Sequence, residues 1–326
     1  MNGATIVVLV GPGERELRRL NDLLASILHF EAEFAAKSTL VLVNDRNTLL
    51  AGADVPARTK FSEMVVLNNP YVGTDGGTMV YDRLTAGIWA VLLAVVDRAD
   101  SDFVLKADTD ALACGRFSVR ITDYFQQHPT AGLIGSLTHN PDGARRNTED
   151  WWGRWIRGTC GPVPHQWLRL LWCNRRRNRL GLELSRWRAR NALYRRASRT
   201  AWVCGANILG GAYAISPAVV RRLRENRSML EDEFLFNETR MSDDVAVSIL
   251  IVALGFDLME YNRPGDVFAV WYQKPTIPLR EVVAQGYGLV HSIKAESAEE
   301  ELQMRMELAA LAGMSGEFRA EWKAFL

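Results

Sequence analysis

The chain has 326 residues, 39 basic and 38 acidic, for a formal net charge of +1, and 48% of its residues are hydrophobic. That supplies a large buried core and excludes an intrinsically disordered chain. The longest apolar stretches, 86–96 and 245–256, run to about a dozen residues, short of the roughly 20 needed to cross a bilayer.

In chain order, the apolar run 4–10 has no basic segment ahead of it and ends abruptly at Gly11-Pro12-Gly13-Glu14. It reads as a first strand, Thr5–Val10, and not as a signal peptide. Residues 14–28 place Leu17, Leu20, Leu23, Leu24, Ile27 and Leu28 at helical spacing. A second strand, 38–43, ends at Asn44-Asp45-Arg46, and a third, 63–67, leads into the turn-rich 68–77. A long helix is expected over about 78–99, then a fourth strand, 103–106, that runs straight into Ala107-Asp108-Thr109-Asp110. Strands alternating with helices predict an α/β fold with a mainly parallel sheet covered on both faces.

After an apolar strand at 133–137 the pattern breaks. Residues 139–202 show little periodicity, yet they hold seven of the ten tryptophans (151, 152, 155, 167, 172, 187 and 202). Within 145–202 stand 15 arginines against three acids, a local net of +12, while the rest of the chain carries 24 basic and 35 acidic residues. Such a split points to an anionic partner at one surface. Patterning resumes at 206–216, with helices from Pro217 and Ser242 and an amphipathic helical tail over 296–326. The four cysteines, 114, 160, 173 and 204, lack C-x-x-C spacing, so reduced structural thiols and a cytosolic protein are expected.

Four places can carry chemistry. Asp108 and Asp110, spaced i, i+2 just past a strand, can share one hard cation where ligands bind in open α/β sheets; there Asp110 is expected as a surface carboxylate facing the ion. Asp243 and Asp244 open an apolar helix behind Ser242, which suits an N-cap and first-turn acids but equally a general base. His291 follows an apolar stretch and is a structural residue unless the cation recruits an imidazole. The small residues Gly205, Ala206 and 210–212 suit either close approach of a ligand or a tight strand crossing.

The order Lys106-Ala107-Asp108-Thr109-Asp110, then a glycine-rich strand ending Tyr213-Ala214-Ile215-Ser216, then Asp243-Asp244-Val245, then His291, resembles a GT-A glycosyltransferase. It is most similar to the inverting β1,3-glycosyltransferases that include fringe and the β1,3-galactosyltransferases. Thr109 stands where that family has a middle acid, and residues 139–202 match nothing in it.

The resemblance implies a Rossmann-like GT-A domain spanning 1–326, with a nucleotide-sugar half (1–138) and an acceptor and catalytic half (203–295); between them the chain carries a basic insertion (139–202), expected to be mostly helical, and after them a helical tail (296–326). It implies Mn²⁺ or Mg²⁺ at Asp108, Asp110 and His291, Asp110 holding the ion directly. A UDP-sugar donor would lie against Val10, Gly11, Asp45, Lys106, Asp108, Gly210 and Gly211. Asp244 would be the base, with Asp243 beside it, and the acceptor a glycan, lipid-linked or small-molecule hydroxyl. The rival is an NAD(P)-dependent Rossmann oxidoreductase: Gly11-Pro12-Gly13 opens a helix and Asp45 ends the second strand, but Glu16 stands where the third fingerprint glycine belongs. For the Arg/Trp insertion the alternatives are a solvated lid, a peripheral membrane contact at anionic lipid, and, least, nucleic acid.

Overall fold

The computed structural model describes residues 3–46, 50, 56–71, 80–98, 101–161, 180–236 and 239–314. Among them the strands are β1 (Thr5–Val10), β2 (Thr39–Asn44), β3 (Glu63–Asn68), β4 (Val104–Asp108), β5 (Leu112–Ala113), β6 (Ala131–Gly135), β7 (Ala212–Ile215), β8 (Asp257–Glu260), β9 (Phe268–Val270) and β10 (Leu289–His291). The helices are α1 (Glu14–Ala35), α2 (Val80–Val96), α3 (Ser118–Gln127), α4 (Glu149–Cys160), α5 (Leu180–Ala197), α6 (Pro217–Glu225), α7 (Asp243–Ala253), α8 (Leu279–Ala284) and α9 (Ala298–Leu311).

Seven strands form the central sheet in the order β3-β2-β1-β4-β7-β6-β8. β3, β2, β1 and β4 run parallel, β7 runs against both of its neighbours, and β8 is parallel to β6. The mainly parallel α/β sheet expected from the sequence is therefore present. β1 lies inside it, and its alternate side chains divide between two cores. Ile6, Val8 and Val10 join Leu20, Leu23, Leu24 and Ile27 of α1 on one face. Val7 and Leu9 join Ile88, Trp89, Leu92 and the apolar side of α7 on the other. A strand covered on both faces has no polar side to show, hence the continuous apolar run Ile6–Val10.

Three elements depart from the sequence expectation. The first helix continues to Ala35, and at Glu31 (φ −136°, ψ 34°) its backbone leaves helical geometry. The buried Glu31 carboxylate there accepts from the Phe117 and Ser118 amides at 2.6 and 2.8 Å and holds the start of α3. The strand expected over 206–216 is only Ala212–Ile215. Within 139–202, expected to be mostly helical but without periodicity that fixes the helix limits, α4 and α5 form. The inward face of α5 carries Arg190 and Asn191 beside Leu193 and Ala197, so no apolar period marks it, whereas α4 buries Ile156 and Cys160. Asn191 donates to the Cys160 carbonyl at 2.7 Å and Arg190 to the Leu235 carbonyl, and α5 packs against α7. Arg146 likewise points inward, to the Ser136, Leu137 and Asn207 carbonyls. Part of the positive charge is thus spent inside the molecule. Arg169, Arg175, Arg176, Arg177 and Arg179 lie outside the described residues, as do Trp167, Trp172 and Cys173.

The tail helix α9 also differs from an amphipathic stripe, because charged residues lead its buried face. Arg305, fully buried, meets Asp22 of α1 at 2.6 Å and donates to the Ile293 carbonyl at 3.0 Å and the Thr109 carbonyl at 3.4 Å. Glu301 takes the Arg19 guanidinium at 2.5 and 2.6 Å. A buried pair of this kind costs roughly 3–5 kcal/mol when one partner is removed, and here it ties α9 to the loops that follow β4 and β10. Residues 315–326 of the expected tail lie outside the described residues. Cys114 and Cys160 are buried free thiols whose pKa burial pushes up to about 12, so they are inert at neutral pH. No helix among the described residues is long and apolar enough to cross a membrane.

Candidate active site

β4 ends at Asp108, beside Leu9 of β1, and the chain turns at once, with the Ala111 amide donating to the Asp108 carbonyl at 3.0 Å. Asp110 sits in this turn. Two residues on, Leu112 starts β5, which pairs with β10 in the small sheet β5-β10-β9. That pairing carries His291, the last residue of β10, to the turn, and the Ile293 amide closes on the Asp110 carbonyl at 2.7 Å. Asp108, Asp110 and His291 thereby each offer a ligand atom within 4.8 Å of the others. His291 Nε2 stands 3.0 Å from Asp110 and 3.6 Å from Asp108.

The opposite ring nitrogen of His291 lies 3.1 Å from the Trp271 carbonyl, which accepts from Nδ1–H and aims Nε2 at the carboxylates. This second partner is how proteins orient a metal-binding imidazole. Two carboxylates and one imidazole suit a divalent ion, so the residues present fit the cation that the resemblance implied. Asp110 is not the surface carboxylate expected: it is 5% exposed and also bonded to the Ser292 hydroxyl at 2.8 Å and the Lys294 ammonium at 2.9 Å. Burial would raise it, but His291 and Lys294 outweigh that and hold it well below the usual carboxylate range. Burial raises the partly exposed Asp108 despite the pull of Lys106 and His291.

Lys106 connects this cluster to the acid pair. It is 3% exposed and stays charged by donating to Asp108 at 2.6 Å and to the Gly210 carbonyl, with Asp243 at 3.6 Å. It therefore lies beneath the site as a tie between strands. Ser242 does not cap a backbone amide of α7, as its position suggests; its hydroxyl donates to the Asp244 carboxylate. The same carboxylate oxygen accepts from the Val245 amide at 2.8 Å, and the other accepts from Asn207 Nδ2 at 3.1 Å. Burial first, then the neighbouring Asp243, pushes Asp244 up to about 6 against the pull of Ser242 and Arg146.

The glycines of this segment make room for protein groups. A side chain on Gly211 would place its first carbon 2.0 Å from His291 Nδ1, and on Gly210 3.3 Å from the Asp244 Cβ. Gly211→Ala is accordingly expected to displace the imidazole and weaken Mn²⁺ binding about 10–100-fold. Calorimetric titration with Mn²⁺ checks this, and wild-type affinity in the variant would separate His291 from the cation.

Val10 and Gly11 end β1, and Asp45, just past β2, donates its amide to the Val10 carbonyl at 2.9 Å. The Asp45 carboxylate is buried, 3.4 Å from Arg83 and 3.3 Å from Asn69, and burial raises it. Glu16 lies against Gly11, its Cγ 3.2 Å from where a Gly11 side chain would begin, and it accepts from the Thr109 hydroxyl. Residues that the sequence reasoning passed over are Ser292, Lys294, Asn207, Arg146 and the Trp271 carbonyl. Only the first two carried a local signal, by standing next to His291.

No protein-family model matches this chain, and no relative is found among curated proteins. Among solved structures the chain is similar to galactosyltransferase LgtC in complex with donor and acceptor sugar analogues, at 13% identity, 99% coverage of this chain, 100% of that chain and a TM-score of 0.49. It is also similar to the apo form of mouse xyloside xylosyltransferase 1, at 12% identity, 89% coverage of this chain, 97% of that chain and a TM-score of 0.41.

Proposed function

We propose that this protein is a metal-dependent glycosyltransferase of GT-A type that moves a sugar from a UDP-sugar to an acceptor hydroxyl with inversion. The observation that carries the reading is the convergence of Asp108, Asp110 and His291 at the carboxyl end of a parallel strand, with an acid pair joined to them through Lys106. Asp108, Asp110 and His291 would hold Mn²⁺ or Mg²⁺. When bound, the ion neutralises charge on a diphosphate leaving group. Val10, Gly11, Asp45, Gly210 and Gly211 stand around the same strand ends, where a nucleotide would lie, and Lys106 fixes Asp108 from below.

Asp244 would take the proton of the acceptor hydroxyl. Each carboxylate oxygen has two acceptor sites; Ser242 and the Val245 amide occupy both on one oxygen, and Asn207 occupies one on the other. One site is left for a substrate hydroxyl. A carboxylate at about 6 is ionised at neutral pH yet more basic than an ordinary one, which suits a general base. A single displacement with one base inverts the anomeric centre.

Donor hydrolysis measured with several nucleotide sugars, with and without Mn²⁺, tests the reading, alongside thermal stabilisation by UDP–Mn²⁺ against NAD(P). Stabilisation by NAD(P) alone would return the oxidoreductase. Glu16 opposes that rival, because its carboxylate lies where a dinucleotide pyrophosphate would meet the start of α1.

For the insertion we propose a peripheral contact with anionic lipid. On α4 the Trp151 and Trp155 rings stack in parallel, 5.9 Å apart, and line a cavity of about 350 Å³ with Arg154, Gly158 and Thr159. Trp151 is 56% exposed, and indoles with arginines suit headgroup depth. Flotation with anionic liposomes should be salt-sensitive and weaken in the double variant Trp151→Ser, Arg154→Ser. Equal flotation with neutral lipid would overturn the anionic contact, and no flotation with either lipid would leave α4 a solvated lid.

A further inference from the structure

Behind the proposed base the chain builds a braced hairpin that ends on one side chain. After β6 the Arg146 amide donates to the Thr138 carbonyl at 2.8 Å and the Asn140 amide to the Ala144 carbonyl at 2.9 Å. Glu260, the last residue of β8, grips the foot of this hairpin by accepting from the Thr138 and His139 amides at 2.7 and 3.0 Å. Asn262 adds a bond to the His139 carbonyl at 2.9 Å. From the hairpin the Arg146 guanidinium turns back and gathers three carbonyls, those of Ser136, Leu137 and Asn207. The residues after Asn207 are tied down as well. The Ile208 amide donates to the Ser248 hydroxyl of α7 at 3.1 Å, and the Leu209 amide to the Ser136 carbonyl at 2.9 Å.

The Asn207 side chain itself is lightly held, although it is buried. Nδ2 donates to Asp244 at 3.1 Å and to the Ile208 carbonyl at 3.4 Å, while Oδ1 has no partner among the described residues. Such an amide keeps its direction only where its backbone is fixed. Ser242 and the Val245 amide hold one Asp244 oxygen from within the start of α7. Asn207 holds the other from a separate segment, and bonds to both oxygens fix the carboxylate plane. We propose that Arg146 is the positioning residue for the base: it fixes Asn207, and Asn207 turns the open acceptor site of Asp244 toward the substrate hydroxyl. The inference rests on the transferase reading and adds to it two residues that do not meet the donor.

Two measurements test it. With ¹⁵N-asparagine labelling, the Asn207 side-chain amide is one NMR signal pair, assigned by its absence from Asn207→Ala. Its exchange with water should be slow in wild type and at least about tenfold faster in Arg146→Met. The second measurement is Mn²⁺-dependent hydrolysis of UDP-glucose, UDP-galactose and UDP-xylose, with water as the acceptor. Its kcat should fall about tenfold or more in Arg146→Met and in Asn207→Ala, with the donor KM unchanged. The double variant should be no slower than the slower single one, because Arg146 acts through Asn207. Arg146→Gln keeps one donor for these carbonyls, so it should show both changes to a smaller extent, and it replaces Arg146→Met if that variant does not fold. The proposal is overturned if the Asn207 amide exchanges in the Arg146 variant as in wild type, if Asn207→Ala keeps the wild-type kcat, or if the two losses multiply in the double variant. Absence of hydrolysis of all three donors by wild type would instead sink the transferase reading, and amide exchange would still decide whether Arg146 holds Asn207.

Discussion

Replacing Asp110 with asparagine is expected to abolish Mn²⁺-dependent turnover and Mn²⁺ binding together. The amide keeps an oxygen for the Ser292 hydroxyl but removes the negative charge that faces His291 and Lys294. With alanine the fold itself should weaken. Asp110 is buried, and losing its hydrogen bonds to charged groups costs about 1.5–3 kcal/mol. Denaturant unfolding and Mn²⁺ titration of both variants separate the two effects. Turnover within tenfold of wild type in Asp110→Asn would show that Asp110 does not hold the cation, whatever happened to stability.

The second large effect belongs to Asp244. Asp244→Asn should bind UDP and Mn²⁺ normally and lose about 10²–10⁴ in turnover, the usual contribution of a positioned base. The variant can fold because the new amide oxygen still accepts from Ser242 and Val245. Asn207, whose Oδ1 has no partner among the described residues, can turn over to accept from the new NH₂. In wild type the rate should fall about tenfold per pH unit below about 6, because a protonated Asp244 cannot accept a proton. The groups that set this limb are Asp243, which raises it, and Ser242, Arg146 and the Val245 amide, which lower it.

The limb should vanish in Asp244→Asn. Stability should respond in the same window. Between 3.8 and about 6 the folded chain holds the Asp244 proton more tightly than the unfolded chain, so this group makes folding less favourable as pH rises. Asp243→Asn should be milder for turnover, because Lys106 keeps Asp108 as its ion partner. If Asp243→Asn proves the more damaging change, the base is the neighbouring residue, and a product that retains the donor configuration excludes single displacement.

Much of this protein was determined by local sequence. The strand at Thr5–Val10 is legible because a strand buried on both faces must be apolar throughout, and the glycines and proline after it can continue neither strand nor helix. The helices begun by Pro217 and Ser242 are marked by their first-turn chemistry, and Asp108 and Asp110 by their place just past an apolar strand. What failed was whatever the chain built from polar residues. The limits of α5 are not legible because Arg190 and Asn191 face inward, their polar groups satisfied by carbonyls of other segments. The buried face of α9 escaped notice because Asp22 pairs with Arg305 across more than 280 residues.

Tertiary structure alone decided the rest of the site. Nothing near His291 says that β10 will pair with β5, yet that short antiparallel contact places the imidazole 3.0 Å from Asp110. Gly211 reads locally as a gap for a ligand, and only the fold shows that the His291 ring fills it. Ser242 reads as a helix cap, but Asp244 takes its hydroxyl, because a buried carboxylate without donors is costly. Sequence periodicity records which side chains leave water. It carries no record of which distant polar groups satisfy one another once water is gone.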